Sequence, residues 1–247
     1  MIGAKHCAPA LACAAALLAA PAAADDEIAT YVAQYDVEYK GRRIGESTQS
    51  LERTDAGYRF QSVTEARGII ARLAFPRPLV EESLFEMHDG APRPLEFRFE
   101  DGTRKGEDNV SIQFDWTSGT AKVTSEEGTT DLPLTPDVHD RVTLQIALML
   151  ELEAKAAPEE HDLIDDASIK TYSYEVVGEE TLAANDETYE TIKVVQQRQG
   201  SSRHMILWLA PELRHLPVRI EQRRGDETLM AFLLESVQGL SASDEGK

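Results

Sequence analysis

The segment Thr135–Leu152, TPDVHDRVTLQIALMLEL, constrains this chain more than any other, because it alone reads as a long helix. Thr135 suits an N-cap and Pro136 the first helical position, where its missing N–H costs nothing. Asp137 and Asp140 fall in or near the first turn, against the positive end of the helix. Val138, Val142, Gln145 and Met149 recur at spacings of three or four. Leu144, Ile146, Ala147, Leu148, Leu150 and Leu152 spread apolar surface round nearly the whole circumference. A helix of this kind must be covered on most sides. It is too short for a membrane span and carries Arg141, Gln145 and Glu151. The polar run from Glu153 to His161, with Pro158, ends it, so a helix over about 136–156 is expected.

The covering material reads as short antiparallel strands. Tyr31, Ala33, Tyr35, Val37 and Tyr39 alternate with polar neighbours, the period of a half-buried strand. Val110, Ile112, Phe114 and Trp116 do the same, and Met205, Leu207 and Leu209 alternate with His204, Ile206 and Trp208. Turn signals such as Asp89-Gly90 and Ser118-Gly119 separate the runs. The count is about eleven strands, with no helices alternating between them, which argues against a βαβ plan. The expected fold is mainly β (α+β): a large curled antiparallel sheet, or unclosed β-barrel, wrapped around one central helix. Gly68–Pro78 fits this plan least. Ile69, Ile70, Leu73 and Phe75 are interspersed with Arg67, Arg72 and Arg77, and Pro76 and Pro78 forbid a long element. It reads as a short helical turn or a loop, either covering a sheet edge or standing at the mouth of a cavity.

Residues 1–24 have the form of a secretory signal: Lys5, an alanine-rich core, and a small-x-small site at Ala22 and Ala24. An uncleaved anchor, or lipidation at Cys13, are the alternatives. Cys7 and Cys13 both lie in this segment, so the exported chain would hold no thiol and no disulfide. Residues 25–240 then form one domain of ample size, and 241–247 a disordered polar tail. Removing 1–24 takes Lys5 but no acidic residue, so 25 Lys and Arg become 24 against 44 Asp and Glu, a balance of −20. That argues against nucleic acid, and against an anionic membrane surface, as main partners. No further segment of the exported chain is long and apolar enough to cross a membrane.

Catalytic and metal motifs are missing. His88, His139, His161, His204 and His215 have no metal-ligand spacing, and there is no Gly-x-Ser-x-Gly elbow, phosphate loop or dinucleotide fingerprint. The cluster His161, Asp162, Asp165 and Asp166 admits a cation, but a solvated connector is the plainer reading. Asp36/Glu38 and Glu81/Glu82 are formal carboxylate pairs for glycan hydrolysis, of a kind that 44 acidic residues produce by chance. His139 beside Asp140 and Arg141 reads as helix-start electrostatics. No catalytic, cofactor-binding or metal residue is therefore assigned, and no cofactor is expected. Arg141 and Gln145 remain of interest: if the helix is enclosed, each must be hydrogen-bonded, to the sheet or to a ligand.

Two motifs carry a resemblance. Asp140-Arg141-Val142-Thr143-Leu144-Gln145 leads into Ile146-Ala147-Leu148, and Trp208-Leu209-Ala210-Pro211 is followed by Leu216-Pro217-Val218-Arg219-Ile220. Together with Tyr35-Asp36-Val37 and Ile44-Gly45, these resemble the uncharacterised periplasmic proteins of the domain of unknown function 3108, over roughly residues 30–237. That family has no activity to carry over. Its architecture looks like the unclosed barrels of the periplasmic lipoprotein carriers, an analogy of fold only. From the residues alone, Trp208 packs the core, Pro211 ends a strand, Pro217 begins the next, and Arg219 pairs with an acid or points into the hollow.

Three functions follow as expectations: a non-catalytic periplasmic protein that binds or carries a lipid-like or other apolar ligand; an envelope assembly factor acting on another envelope protein; and a glycan hydrolase. The first requires a cavity between helix and sheet, the second a solid core with an exposed patch or open edge, the third convergent carboxylates.

Overall fold

A computed structural model describes residues 28–240. The signal peptide and tail expected at 1–24 and 241–247 lie outside the described residues. One sheet of fifteen strands dominates. Strands β1 (Tyr31–Tyr39), β2 (Arg42–Thr54), β3 (Gly57–Ala66), β4 (Leu79–His88), β5 (Ala91–Glu100), β6 (Val110–Asp115), β7 (Thr120–Ser125) and β8 (Gly128–Pro133) form a continuous antiparallel meander. Helix α1 (Ile69–Ala74) interrupts it between β3 and β4. The chain then passes through β9 (Val138–His139) and α2 (Arg141–Glu153). A second meander follows: β10 (His161–Asp166), β11 (Ser168–Ala184), β12 (Glu187–Arg198), β13 (Arg203–Ala210), β14 (Leu216–Arg224) and β15 (Glu227–Gln238). Strand β15 pairs with β1 and joins the halves, while β9 adds to β10 as the one parallel pair. The sheet curls until β9 returns beside β5, but no ladder closes that seam. Its free edges are β8 and β9.

Inward residues follow the period of two. Tyr35, Leu51, Phe85, Phe97, Ile112 and Leu234 are fully buried, and Tyr35 donates its hydroxyl past β15 to the Pro217 carbonyl on β14 at 2.9 Å. Gly57 is required at the β2–β3 turn: its φ is +129°, and a Cβ there would lie 2.4 Å from the Phe85 carbonyl oxygen.

The expectation of a mainly β, unclosed sheet holds, with three corrections. Among the described residues there are fifteen strands, not about eleven: β9 lies where the helix was expected to begin, and β10 where a polar connector was expected. The described residues hold two α-helices, not one, and a 3-10 turn at Pro211–Leu213. The main helix is Arg141–Glu153 instead of 136–156, and it is not central, because it packs against β4, β5, β9 and β10 at the seam. The cause of the late start is local. Asp140, not Thr135, is the N-cap: its Oδ1 accepts from the backbone N–H of Val142 and Thr143, both at 2.8 Å. The Thr143 hydroxyl accepts from the Asp140 N–H at 3.0 Å, completing a capping box. Thr135 instead donates its hydroxyl to Asp162 at 3.2 Å, and Pro136 sits in the turn before β9.

Candidate functional site

Helix α2 runs through the barrel, with Arg141 at one end and Glu153 at the other. Its buried residues are Val142, Thr143, Leu144, Ile146, Ala147, Leu148, Met149 and Leu152. Because the helix leans toward β4, β5, β9 and β10, space remains on the side of β11–β14. That space is a cavity of about 440 Å³. Its apolar wall is Leu144, Leu148, Leu163, Met205 and Leu207. Its polar side is built by Arg141 and Gln145 from α2, Glu81 from β4, and Gln196, Arg203 and Gln222 from the second meander. A shallower pocket of about 280 Å³ continues it outward past Lys170, Arg198 and His204.

Arg141 is the hinge of the polar side. Its Nε donates to Asp165 Oδ1 at 2.5 Å, and its Nη1 lies 3.9 Å from Glu81 Oε1. Its guanidinium stacks over the Phe99 ring, 4.7 Å from the centroid. The N-terminus of α2 therefore ties β10 to β4 and β5 across the unclosed seam. Ser83 strengthens the tie by donating to Asp140 Oδ2 at 2.6 Å. The carboxyls here are perturbed. Burial pushes Glu81 up to about 7; Arg141 opposes this, while Asp140 and Asp165 add to it. Burial likewise pushes Asp140 up to about 6, against the hydrogen bonds from Ser83, Thr143 and Val142 that favour its charged form. Glu81 keeps 24% of its side-chain surface open, so its carboxyl faces the cavity.

A second cavity of about 580 Å³ lies at the opposite end of α2, lined by Pro92, Trp116, Val138, Ala147 and Leu150 with His139, Glu151 and His161. His161 Nε2 is 2.7 Å from Glu151 Oε1, and the His139 ring meets His161 edge-on at 5.0 Å. Burial, and then the neighbouring His161, push His139 down to about 3, so it is a neutral core residue. That replaces the expectation of helix-start electrostatics.

The other sequence candidates do not converge. Glu81 and Glu82 are successive residues of β4 and point to opposite faces; Glu82 is outside, bonded to Arg59 and Gln61. Asp36 and Glu38 lie on the face of β1 opposite the buried Tyr35 and Val37, with Asp36 paired to Arg43. In the 161–166 cluster, Asp162 accepts from Thr171 at 2.7 Å, Asp165 binds Arg141 and Lys170, and Asp166 binds Lys170. The cluster is therefore a strand whose carboxylates already have partners. Among the described residues no three His, Cys, Asp or Glu side chains gather as metal ligands. Trp208 lies on the face of β13 opposite Leu207, flanked by Lys193 and Arg219, with its indole N–H bonded to Glu180 at 2.7 Å. Arg219 pairs with the buried Glu221 and so points away from the hollow. Sequence reasoning missed Gln196 and Gln222. The available signal was a polar residue at an inward position of an otherwise apolar strand face, as in Val194 and Gln196.

Fold and cavity together define an unclosed β-barrel with a helix lodged in its hollow. A family model described as protein of unknown function (DUF3108) matches residues 34–233, and the chain belongs to that family. Among solved structures, the β-barrel-like protein of domain of unknown function DUF1849 from Brucella abortus matches at a TM-score of 0.50. It is 14% identical, with 85% of this chain and 97% of that chain covered. A proposed lipoprotein from Parabacteroides distasonis matches at 0.36, with 9% identity and coverage of 85% and 96%. A proposed exported protein with a YmcC-like fold from Bacteroides fragilis matches at 0.37, with 10% identity and coverage of 86% and 96%. The first of these likenesses supports the barrel-like fold. No protein of curated function matches the chain.

Proposed function

We propose that this is a non-catalytic protein of the bacterial periplasm that holds an amphipathic, lipid-like ligand in the cavity beside α2. The observation that carries the reading is the two-sided wall of that 440 Å³ space: Leu144, Leu148, Leu163, Met205 and Leu207 against Arg203, Gln145, Gln196 and Gln222. Its size falls in the usual range for small-molecule sites, roughly 300–1,000 Å³. An apolar chain would lie against Met205, Tyr172 and Tyr174, with the buried leucines beneath them, and an anionic or zwitterionic headgroup would meet Arg198, Arg203 and Lys170 in the outer pocket. The periplasmic assignment rests on the signal sequence at 1–24. Native mass spectrometry of protein purified from the periplasm is the test. The expected result is a bound lipid-like mass that organic extraction removes and that Met205→Trp, which fills the cavity, abolishes without unfolding the protein. Protein that carries no such mass, and that takes up none from a fluorescent fatty acid in solution, overturns it.

A second reading, an envelope assembly factor, draws on β8. One edge of that strand is unpaired, and every residue of it but Leu132 is exposed, which is the form of a strand-addition site. Photocrosslinkers at Thr129 and Asp131 test it: crosslinks to an envelope protein from β8, and none from β7, favour this reading.

A further inference from the structure

The segment Ala66–Val80 is unlike the rest of the chain. It holds Arg67, Arg72 and Arg77 and no acidic residue, in a protein with 44 of them. Helix α1 buries none of its six side chains. Ile69, Ile70 and Leu73 are 82%, 86% and 67% exposed, and Phe75 beside them 39%. Scattered surface leucines are ordinary, but four adjacent large apolar side chains held clear of the body are not. Nor is the segment loose. The Arg77 N–H donates to the Gly102 carbonyl at 3.2 Å, the Phe75 N–H to Ala71 at 2.8 Å, and the Arg67 N–H to Ile44 at 2.7 Å. Gly102 is needed for this dock: its φ is +71°, and a Cβ there would lie 2.7 Å from the Arg77 carbonyl oxygen.

Strand register fixes where the hook stands. Ala66 pairs with Gly45, Tyr39 with Met230, Arg224 with both Glu227 and Arg203, and Gln197 with His204. The hook therefore shares one barrel end with the β1–β2, β14–β15 and β12–β13 turns. The cavity residues Arg203, Gln222 and Asp165 belong to the same end. These turns add Lys40, Arg42, Arg198 and Arg224 to the three arginines. Some have acidic partners, as in Lys40–Glu227 and Arg67–Glu46. Arg72 and Arg77 bond the backbone carbonyls of Ala66 and Thr103, and Arg77 also lies near enough to Asp101 to favour its charged form. The same end also carries acidic residues on the β5–β6, β7–β8, β10–β11 and β14–β15 connections, among them Asp101, Glu107, Asp108, Glu126, Glu127, Asp166 and Asp226, so the basic excess belongs to the hook itself. At physiological salt, charges separated by more than about 8 Å are largely screened, so the local sign at a surface outweighs a whole-chain balance of opposite sign.

We propose that α1 is a membrane-docking hook, which seats Ile69, Ile70, Leu73 and Phe75 in the interfacial zone of an anionic phospholipid bilayer while the arginines meet its headgroups. The whole-chain charge argues against an anionic membrane; the hook, with three arginines and no acidic residue over Ala66–Val80, carries the local sign that such a surface needs. Docking there would bring the mouth of the α2 cavity to the bilayer. The hook's own observations carry the inference, and it stands or falls apart from the ligand reading: vesicle binding needs no cavity ligand, and a co-purifying lipid needs no vesicle.

Flotation of the purified protein with vesicles of phosphatidylcholine, with and without phosphatidylglycerol, tests it. The wild-type protein is expected to float with the mixed vesicles and to be released by salt. The triple change I69S/I70S/L73S is expected to lower binding at least about tenfold. Because all three side chains are exposed, its melting curve should match the wild type. Ile70→Trp is expected to be quenched by acyl chains carrying bromine. The proposal is overturned by wild-type protein that floats with neither vesicle, by a triple variant that binds as well as wild type, or by Ile70→Trp that binds unquenched. A concentration-dependent dimer that the triple change dissolves would also overturn it, since the patch would then serve a second copy.

Discussion

His139 and Asp140 are neighbours at the head of α2, yet their protons act on stability in opposite senses. Burial raises Asp140 from 3.8 to about 6, so the folded state holds its proton more tightly than the unfolded chain does. That stability is present below the unfolded value and is lost as pH rises through the folded one. His139 is lowered from 6.5 to about 3, so its contribution is present above 6.5 and is lost as pH falls toward 3. At about 1.36 kcal/mol per pKa unit, the Asp140 effect is at most about 3 kcal/mol and the His139 effect at most about 5 kcal/mol. In wild-type protein they partly cancel, so only mutant differences reveal them. Asp140→Asn keeps an acceptor for Val142 and Thr143 and can donate to Ser83, but carries no charge. Its stability relative to wild type should rise by up to about 3 kcal/mol from about pH 4 to about pH 7. Asp140→Ala loses the cap, at about 0.5–2 kcal/mol, and leaves Ser83 without its partner, at about 1–3 kcal/mol more. Urea unfolding followed by tryptophan fluorescence at several pH values is the assay. An Asn variant whose difference from wild type does not vary with pH would refute the account of Asp140. An Ala variant as stable as the Asn variant would refute the role of the cap.

Three further outcomes follow from the same end of the helix and its core. His139→Phe removes both the titration and a buried Nδ1 that has no partner, so this variant should lose less stability than wild type between about pH 6 and pH 4 in the same unfolding assay. Arg141→Met should push the Glu81 carboxyl above its wild-type value of about 7, because the guanidinium is the group that opposes its burial; carboxyl chemical shifts measured across a pH titration check this. Leu148→Ala, at a fully buried position, should cost about 2–5 kcal/mol in urea unfolding, at the low end if Leu148 already borders open space.

Strand identity was legible because alternation is local. Tyr31 to Val37 and Val110 to Asp115 show the burial that their spelling predicts, while Tyr39 at the strand's end is exposed. The start of α2 was misread because Thr135-Pro136 satisfies the rules for a helix start, and so does Asp140-Arg-Val-Thr143. The second won because Val138 and His139 could pair with Asp162 and Leu163 on β10, a gain that no local rule reports. Strand β10 was missed for the matching reason: the acidic residues of HDLIDD read as a connector until Arg141, Lys170 and Thr171 supply partners from distant positions. The Arg141 question was posed correctly by sequence, and its answer, Asp165 and Glu81, depended on tertiary contacts. Helix α1 was half legible: its composition stood out, but exposure of all its apolar side chains is a property of the fold.

A helix lodged at the seam leaves the protein with an energetic problem that a ligand can solve. Leu144, Leu148 and Leu207 are 2%, 1% and 2% exposed, so in the empty protein water meets the apolar side of the cavity chiefly at Met205, Tyr172 and Tyr174, which is unfavourable, although Gln222 and Arg203 give that water partners. A polar-edged cavity can therefore stay open without collapse, yet it gains when an apolar chain replaces the water. Binding to the folded state alone stabilises by RT ln(1 + [L]/Kd), about 2.7 kcal/mol when free ligand is at a hundredfold of its Kd. For a domain of this size, each kcal/mol moves Tm by roughly 2–4 °C, so removing the ligand should lower Tm by about 5–11 °C. Differential scanning calorimetry before and after organic extraction measures this, with Met205→Trp as the control that should not respond. An extracted protein that melts where the native one does would mean that the cavity walls need no occupant, and the polar side of the hollow would then serve the fold alone.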